Sequence, residues 1–148
     1  MKTKLIIALS LMLAVISCSK RNPQPHSEEE ALIMKFIIET YNSGAFEDYD
    51  FLEAHCSQSL LDQLAADYYD VEGGGYAVWN FRTMAQDSKS DDVCPHGVVT
   101  VTAEGDGWYA YEFFDGGFRG INRVKASLKD GVVVLEALER VYDETAVV

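Results

Sequence analysis

Glycine-rich turns divide the second half of the chain into four segments of strand length, and they constrain the fold more than any other feature. Gly105-Asp106-Gly107, Asp115-Gly116-Gly117 and Asp130-Gly131 separate segments that are rich in Val, Thr and aromatic residues. Because a parallel crossover needs a dozen or more residues, strands joined by such short turns run antiparallel. The segments, which we predict as the strands of one meander, are 98–104, 108–114, 118–129 and 132–142.

Helices are predicted before this sheet. Ser27-Glu28-Glu29-Glu30 is a capping box with an acidic first turn. Apolar residues follow at helical spacing, and Asn42-Ser43-Gly44 is a stop signal. The apolar stripe consists of Leu32, Ile33, Phe36, Ile37 and Tyr41. Ser57 or Ser59 caps a second helix, and the stretch 45–56 is irregular or briefly helical. Helices that precede an antiparallel sheet define the α+β class. We therefore predict two to three N-terminal helices packed on a curved antiparallel sheet of about four strands.

Residues 1–17 have the three parts of an export signal. Lys2 and Lys4 give the positive start, residues 5–16 give an apolar middle, and small Ser17 precedes Cys18. As a helix the apolar middle would reach about 18 Å, which is too short for a hydrocarbon core of about 30 Å. The segment therefore predicts a signal peptide that is removed, and not a transmembrane helix.

The end of this signal resembles the bacterial lipobox, with Val15 three residues before Cys18 and Ser17 directly before it. The resemblance implies that residues 1–17 are cleaved and that Cys18 carries diacylglycerol and an acyl chain such as palmitate, which together anchor a protein stably. The alternative is an ordinary secretory signal with an incidental Cys18. Residues 18–27 would then be the lipidated Cys and a flexible tether, and 28–148 a single domain.

The residues after Cys18 predict where the anchor lies. Ser19 is not the aspartate that, by resemblance to enteric lipoproteins, retains a lipoprotein in the inner membrane. The acidic cluster that some Gram-negative groups use for export to the cell surface is also missing from the first residues after Cys18. These features favour an outer-membrane anchor that faces the periplasm, with the cell surface as the alternative.

The charge of the processed chain excludes some partners. The full chain has 12 basic and 24 acidic residues. Removal of Lys2 and Lys4 with the signal leaves ten basic and 24 acidic residues, a net charge of −14. Such a surface is repelled by nucleic-acid phosphates and anionic headgroups. We expect no nucleic-acid partner and membrane contact through the covalent lipid on Cys18, while the oligomeric state stays open.

The whole mature domain resembles known proteins. Helices followed by a curved antiparallel sheet are similar to the cone-shaped nuclear-transport-factor-2-like and cystatin-like superfamily. More narrowly, Tyr41, residues 56–64, residues 75–87 with their Trp-x-x-Arg-Thr-x-Ala-Gln-Asp ending, and the Gly-Asp-Gly-Trp-Tyr hairpin at 105–109 resemble small bacterial lipoproteins of unknown function. The resemblance implies a fold and no reaction. Superfamily enzymes of the ketosteroid-isomerase kind place an acid or a histidine inside the cone, without a residue-by-residue match here.

Cys56 and Cys94 are the cysteines that remain once Cys18 is lipidated. In an oxidising compartment an even pair predicts a disulfide, which across this separation of 38 residues would stabilise by about 4 kcal/mol. The alternative is two separate thiols. His55 and His96 stand beside them, but adjacent residues do not have the spacing of zinc ligands. We therefore predict no metal and no cofactor.

Two groups of residues are candidates for a pocket. Arg82 and Asp87 form a charged pair near Trp79, which would either line the mouth of a pocket or tie the long connection to the core. The second group would line the concave face of the sheet, where an excess of aromatic residues suits an apolar ligand. Its members are Trp108, Tyr109, Tyr111 and Phe113.

Three functions compete for this sequence. The first is a lipid-anchored binding or envelope-accessory module that meets a small apolar ligand or an envelope protein. The second is an isomerase or dehydratase that uses Asp87 or His96 as a base. The third is a purely structural lipoprotein whose cone is filled by side chains. The chain has no Ser-His-Asp set, phosphate loop or nucleotide fingerprint, so we expect a non-enzymatic role.

Lipidation at Cys18 is testable by metabolic labelling of the full chain with an alkyne analogue of palmitate. The wild-type chain should incorporate the label, and Cys18→Ala should lose it, because the thiol of Cys18 is the predicted acceptor. Cys94→Ala is the matched control and should keep the label. Equal labelling of wild type and Cys18→Ala would contradict the prediction.

Overall fold

The computed structural model describes residues 23–68, 73–82, 97–115 and 118–145. The predicted signal peptide, Cys18, Asp87, Cys94 and His96 lie outside these described residues. Within the described ranges, no helix has the length and apolar character needed to cross a membrane.

In the part of the chain that the structure describes, three helices precede a four-stranded antiparallel open sheet, which confirms the predicted α+β class. The strands follow one another in space in the order of the sequence, as expected for a meander. Short 3-10 turns at Ala45–Glu47 and Val78–Phe81 accompany the helices. The elements are α1 (Glu28–Ser43), α2 (Tyr49–His55), α3 (Gln58–Ala66), β1 (Gly97–Gly105), β2 (Trp108–Asp115), β3 (Phe118–Lys129) and β4 (Val132–Thr145).

Helix α1 begins and ends where its capping signals predict. The Ser27 hydroxyl accepts a hydrogen bond from the Glu30 amide at 3.1 Å, and Gly44 ends the helix in the left-handed conformation that glycine adopts freely. The buried stripe runs from Ile33 to Tyr41 at helical spacing. Leu32, which the sequence pattern includes in that stripe, is 52% exposed.

Helices α2 and α3 cover the outer edge of β4. The Ser57 amide donates to the Leu135 carbonyl at 2.8 Å, and His55 Nδ1 lies 2.9 Å from the Val133 carbonyl oxygen. The Gln63 side-chain amide donates to a third carbonyl on this edge, that of Leu138, at 3.4 Å. Exposed edge strands are templates for pairing with another chain, so these contacts protect this edge of the sheet.

Strand β2 separates its two faces cleanly. Tyr109, Tyr111, Phe113 and Asp115 point inward and are buried, whereas the residues between them are half-buried on the outer face. Helix α1 packs on the inner face, where Tyr41 lies against the rings of Tyr111 and Phe113. The core therefore fills the space between α1 and the sheet.

Gly120 is required by the packing of the core. It pairs with Phe113 across β2 and β3, and a Cβ added at Gly120 would stand 2.5 Å from Cζ of that ring. Gly120→Ala should therefore lower the free energy of unfolding by about 1–3 kcal/mol, measured by urea denaturation.

A double variant separates this clash from other effects of the substitution. Phe113→Leu removes the ring that the new methyl group meets. Gly120→Ala should therefore cost less in the Phe113→Leu background than in the wild type. Equal costs in the two backgrounds would show that Phe113 does not cause the destabilisation.

Candidate functional site

A polar cavity of about 170 Å³ opens at the C-terminal end of α1. Helix α1 contributes its last turn, and the Ala45–Glu47 turn and the residue after the Val78–Phe81 turn close the other sides. Its volume is below the range of about 300–1,000 Å³ that is usual for pockets that bind small molecules. The lining residues are Tyr41, Asn42, Ser43, Gly44, Phe46, Glu47 and Arg82.

Arg82 is the charged centre of this cavity. Its Nε and Nη2 atoms donate to the two carboxylate oxygens of Asp115, each at 2.5 Å, which is the fork geometry that favours Arg over Lys. Nη1 also pairs with the Glu47 carboxylate. The Asp115 side chain is 0% exposed, whereas Glu47 is 52% exposed, so Arg82 connects a buried carboxylate to one at the surface.

The electrostatics of the site hold Arg82 in its charged form. Burial alone would lower the pKa of Arg82, but the hydrogen bonds and charge of Asp115, together with the charge of Glu47, outweigh burial and raise it. The pKa of the Tyr41 hydroxyl is also raised, first by burial and then by the nearby charge of Asp115. Tyr41 is therefore a neutral phenol beside a neutralised ion pair.

Hydrogen bonds from the sheet fix the segment that carries Arg82. The Tyr111 hydroxyl donates to the Phe81 carbonyl at 2.5 Å. The Asn122 amide nitrogen lies 3.1 Å from the Asn80 carbonyl and 3.3 Å from that of Arg82. Burial raises the pKa of Tyr111, so this hydroxyl remains a donor at physiological pH.

The structure brings only some of the sequence-predicted residues together. Arg82 lies at the junction of the connection with the sheet, and Trp79 is buried beside Tyr68 at 5.7 Å between ring centroids. Asp87 lies outside the described residues, so its pairing with Arg82 stays a prediction. The carboxylate that the structure does place on Arg82 in the core is that of Asp115.

The four aromatic residues that were candidates for the concave face do not share one open surface in the structure. Tyr109, Tyr111 and Phe113 are packed into the core under α1 and are not available to a ligand. Trp108 lies on the opposite face, because side chains alternate along a strand, and its ring is 4.6 Å from the Arg123 guanidinium. The aromatic excess of β2 therefore serves mainly the core.

Cys56 is a buried thiol at the start of the connection between α2 and α3. Burial raises its pKa to about 12, so the thiol stays protonated and unreactive at neutral pH. Cys94 lies outside the described residues, and the disulfide stays a prediction. In the described part of the chain, no group of three or more His, Cys, Asp or Glu residues is arranged to hold a metal ion.

An apolar groove of about 330 Å³ lies apart from the polar cavity, on the outer side of α1. Pro23 and Pro25 form one wall, and Ala31, Met34 and Ile38 form the other. The backbone amide of His26 donates to the Glu30 carboxylate at 2.7 Å, which fixes this wall to the first turn of the helix. Residues 23–27, which the sequence assigns to the tether, thus lie along α1.

Sequence reasoning missed the carboxylates of the site. The two glycines that follow Asp115 predict a turn there, yet Asp115 continues the inward alternation of Tyr109, Tyr111 and Phe113. That alternation was the available signal, since a carboxylate on a core-facing position needs a buried cation. Glu47 carries no such pattern, because it reaches the site through a 3-10 turn.

Comparison with protein-family models, with curated proteins and with solved structures finds no match to this chain.

The buried pair of Arg82 and Asp115 predicts that removing one partner destabilises the protein more than removing both. Arg82→Met leaves the Asp115 carboxylate buried without its cation and should cost about 3–5 kcal/mol in urea denaturation. Arg82→Met combined with Asp115→Leu should cost less than Arg82→Met alone, because no charge remains buried.

Glu47→Gln is the matched control for this cycle. It removes the exposed carboxylate that contacts the same guanidinium and should cost less than about 1 kcal/mol. If Glu47→Gln were as destabilising as Arg82→Met, the burial of the Asp115 carboxylate would not explain the cost of losing Arg82.

Proposed function

We propose that this chain is a lipid-anchored accessory protein of a bacterial envelope, held at the membrane by Cys18 and acting through its surface on an envelope protein. The proposal combines the lipobox-like sequence that ends at Cys18 with the packing of the domain. It selects the partner protein over the small apolar ligand that the sequence leaves as its alternative.

The filled interior carries this proposal. Phe46 and Phe81 stack with ring centroids 4.2 Å apart, and both are buried. Tyr111 and Phe113 pack against Tyr41 of α1 with at most 1% exposure. The polar cavity at the end of α1, at about 170 Å³, is smaller than the pockets that usually bind small molecules.

The outer face of the sheet is the surface that best suits a protein partner. Trp108 and Arg123 stack there, and Arg119 pairs with Glu112 at 2.5 Å. Aromatic residues and arginine are enriched at protein interfaces, because they combine a large apolar area with directed hydrogen bonds. Arg123 also bonds Glu104 and Glu139, so its guanidinium is held in place before any partner arrives.

The site around Arg82 and Asp115 gives little support to the competing hypothesis of an enzyme. A carboxylate that acts as a base needs a free lone pair near the substrate. The Asp115 carboxylate is held at both oxygens by Arg82 and is shielded from solvent. Asp87 and His96, the bases that the sequence suggests, lie outside the described residues.

Complementation of a deletion strain distinguishes the two functions. A full chain with Asp87→Asn and His96→Ala should restore growth in the presence of detergent, because the proposed role needs no base. Trp108→Glu should fail to restore growth although the protein is folded and lipidated, because it places a charge in the proposed interface.

Protein level and palmitate labelling are the controls in each strain. Glu53→Gln, an exposed change on α2, should complement fully. Loss of growth with Asp87→Asn and His96→Ala at a normal protein level would favour the enzyme, and full complementation by Trp108→Glu would remove the outer face from the proposal.

A further inference from the structure

The tether between lipid and domain is shorter in the structure than the sequence suggests. Residues 18–27 extended would reach about 30 Å. Because Pro23 and Pro25 already form a wall of the groove on α1, the segment left to span the distance runs from Cys18 to Pro23. Five residues reach at most about 17 Å.

This length restricts how the domain can face the membrane. The polar layer of a bilayer leaflet is about 6 Å thick, and a lipid on Cys18 places that residue within it. A domain of this size is about 35 Å across, which is twice the reach of the remaining tether. The side of α1 that borders Pro23 is therefore held close to the headgroups, and the opposite side is held away from them.

Exposed apolar surface lies on both sides of a charged ridge on α1, and one of these two sides borders Pro23. Leu32 is 52% exposed, Ile38 is half-buried in the groove with Pro23, and a second groove of about 230 Å³ runs between Leu32 and Val133. Lys35 and Glu39 form the ridge between the two grooves and pair at 3.6 Å. We name the surface of Leu32, Lys35, Ile38 and Glu39 the α1 face.

We propose that the α1 face rests on the lipid bilayer, with Leu32 and Ile38 in the headgroup region, so that the outer face of the sheet points away from the membrane. The inference rests on the proposed lipid anchor at Cys18. Chain length selects the bilayer as the occupant, because Pro23 in the groove follows the proposed anchor at Cys18 by only five positions. Apolar side chains that enter this region are stabilised in proportion to their buried area.

Charge predicts which lipids favour this contact. Glu28 and Glu29 are exposed in the first turn of α1, next to the α1 face in which Lys35 and Glu39 pair, so the exposed surface of the helix as a whole has an excess of negative charge. An anionic bilayer repels such a surface within a Debye length of about 8 Å at physiological salt. Zwitterionic lipid should therefore support the contact better than anionic lipid.

A nitroxide label tests the proposed orientation in the full lipidated protein. The label is introduced as an unnatural residue, which leaves the native cysteines unchanged, either at Leu32 or at Glu139. Glu139 is the matched control, because its side chain is also 52% exposed but lies on the outer face of the sheet, bonded to Arg123. The protein is placed in phosphatidylcholine vesicles, and collisions with a water-soluble nickel complex are measured.

The label at Leu32 should collide with nickel at least about threefold less often than the label at Glu139, because a docked apolar side chain lies about 5–10 Å into the interface. Adding phosphatidylglycerol should raise the collision rate at Leu32, and high salt should lower it again. Equal collision rates at the two positions would overturn the orientation. Protection at Leu32 that does not respond to lipid composition would also overturn it, since protein would then cover the face.

Palmitate labelling of the same preparation separates the two proposals. A chain that carries the lipid but shows equal collision rates leaves the anchor intact and removes only the orientation. A chain without the lipid contradicts the anchor itself, and the orientation that rests on it.

Discussion

The bidentate pair of Arg82 and Asp115 is the interaction on which the rest of the structure depends. It closes the inner face of the sheet at the end of β2, where the chain would otherwise present a carboxylate to an aromatic core. Two buried charges cost free energy that their mutual attraction must offset, so such a pair is retained when it fixes an arrangement. Here it fixes the end of a connection that Tyr111 and Asn122 hold through its carbonyls.

Local signals made the architecture predictable, whereas the site depends on contacts between distant residues. Ser27, Gly44 and the Asp-Gly turns act on their own neighbours, and they marked helices and strands correctly. The partner of Arg82 is 33 residues away in sequence and could not be selected by spacing. The alternation of aromatic residues on β2 likewise predicts which side chains share a face, but it does not predict which other residues cover that face.

The packing of the core determines which surfaces of this domain are open to a partner. Side chains that could have lined a binding cup are packed in the core, and the recognition that we propose therefore uses the two outer surfaces, the α1 face and the outer face of the sheet. The two surfaces differ in chemistry. One combines exposed apolar residues with acidic neighbours, and the other is a lattice of arginine–glutamate pairs around Trp108. An anchored domain with opposed surfaces of this kind can link a membrane to a protein above it.

The contacts of α2 and α3 with the edge of β4 have a consequence for the order of folding. His55, Ser57 and Gln63 take their acceptors from residues that follow them by 75–79 positions, in the last strand. Closing such long loops is entropically costly and comes late. The helices that leave the ribosome early therefore wait for the final strand before their fold is complete. This delay suits the export that we propose for the chain, because a polypeptide that has not completed its fold is the form that can be threaded through a membrane.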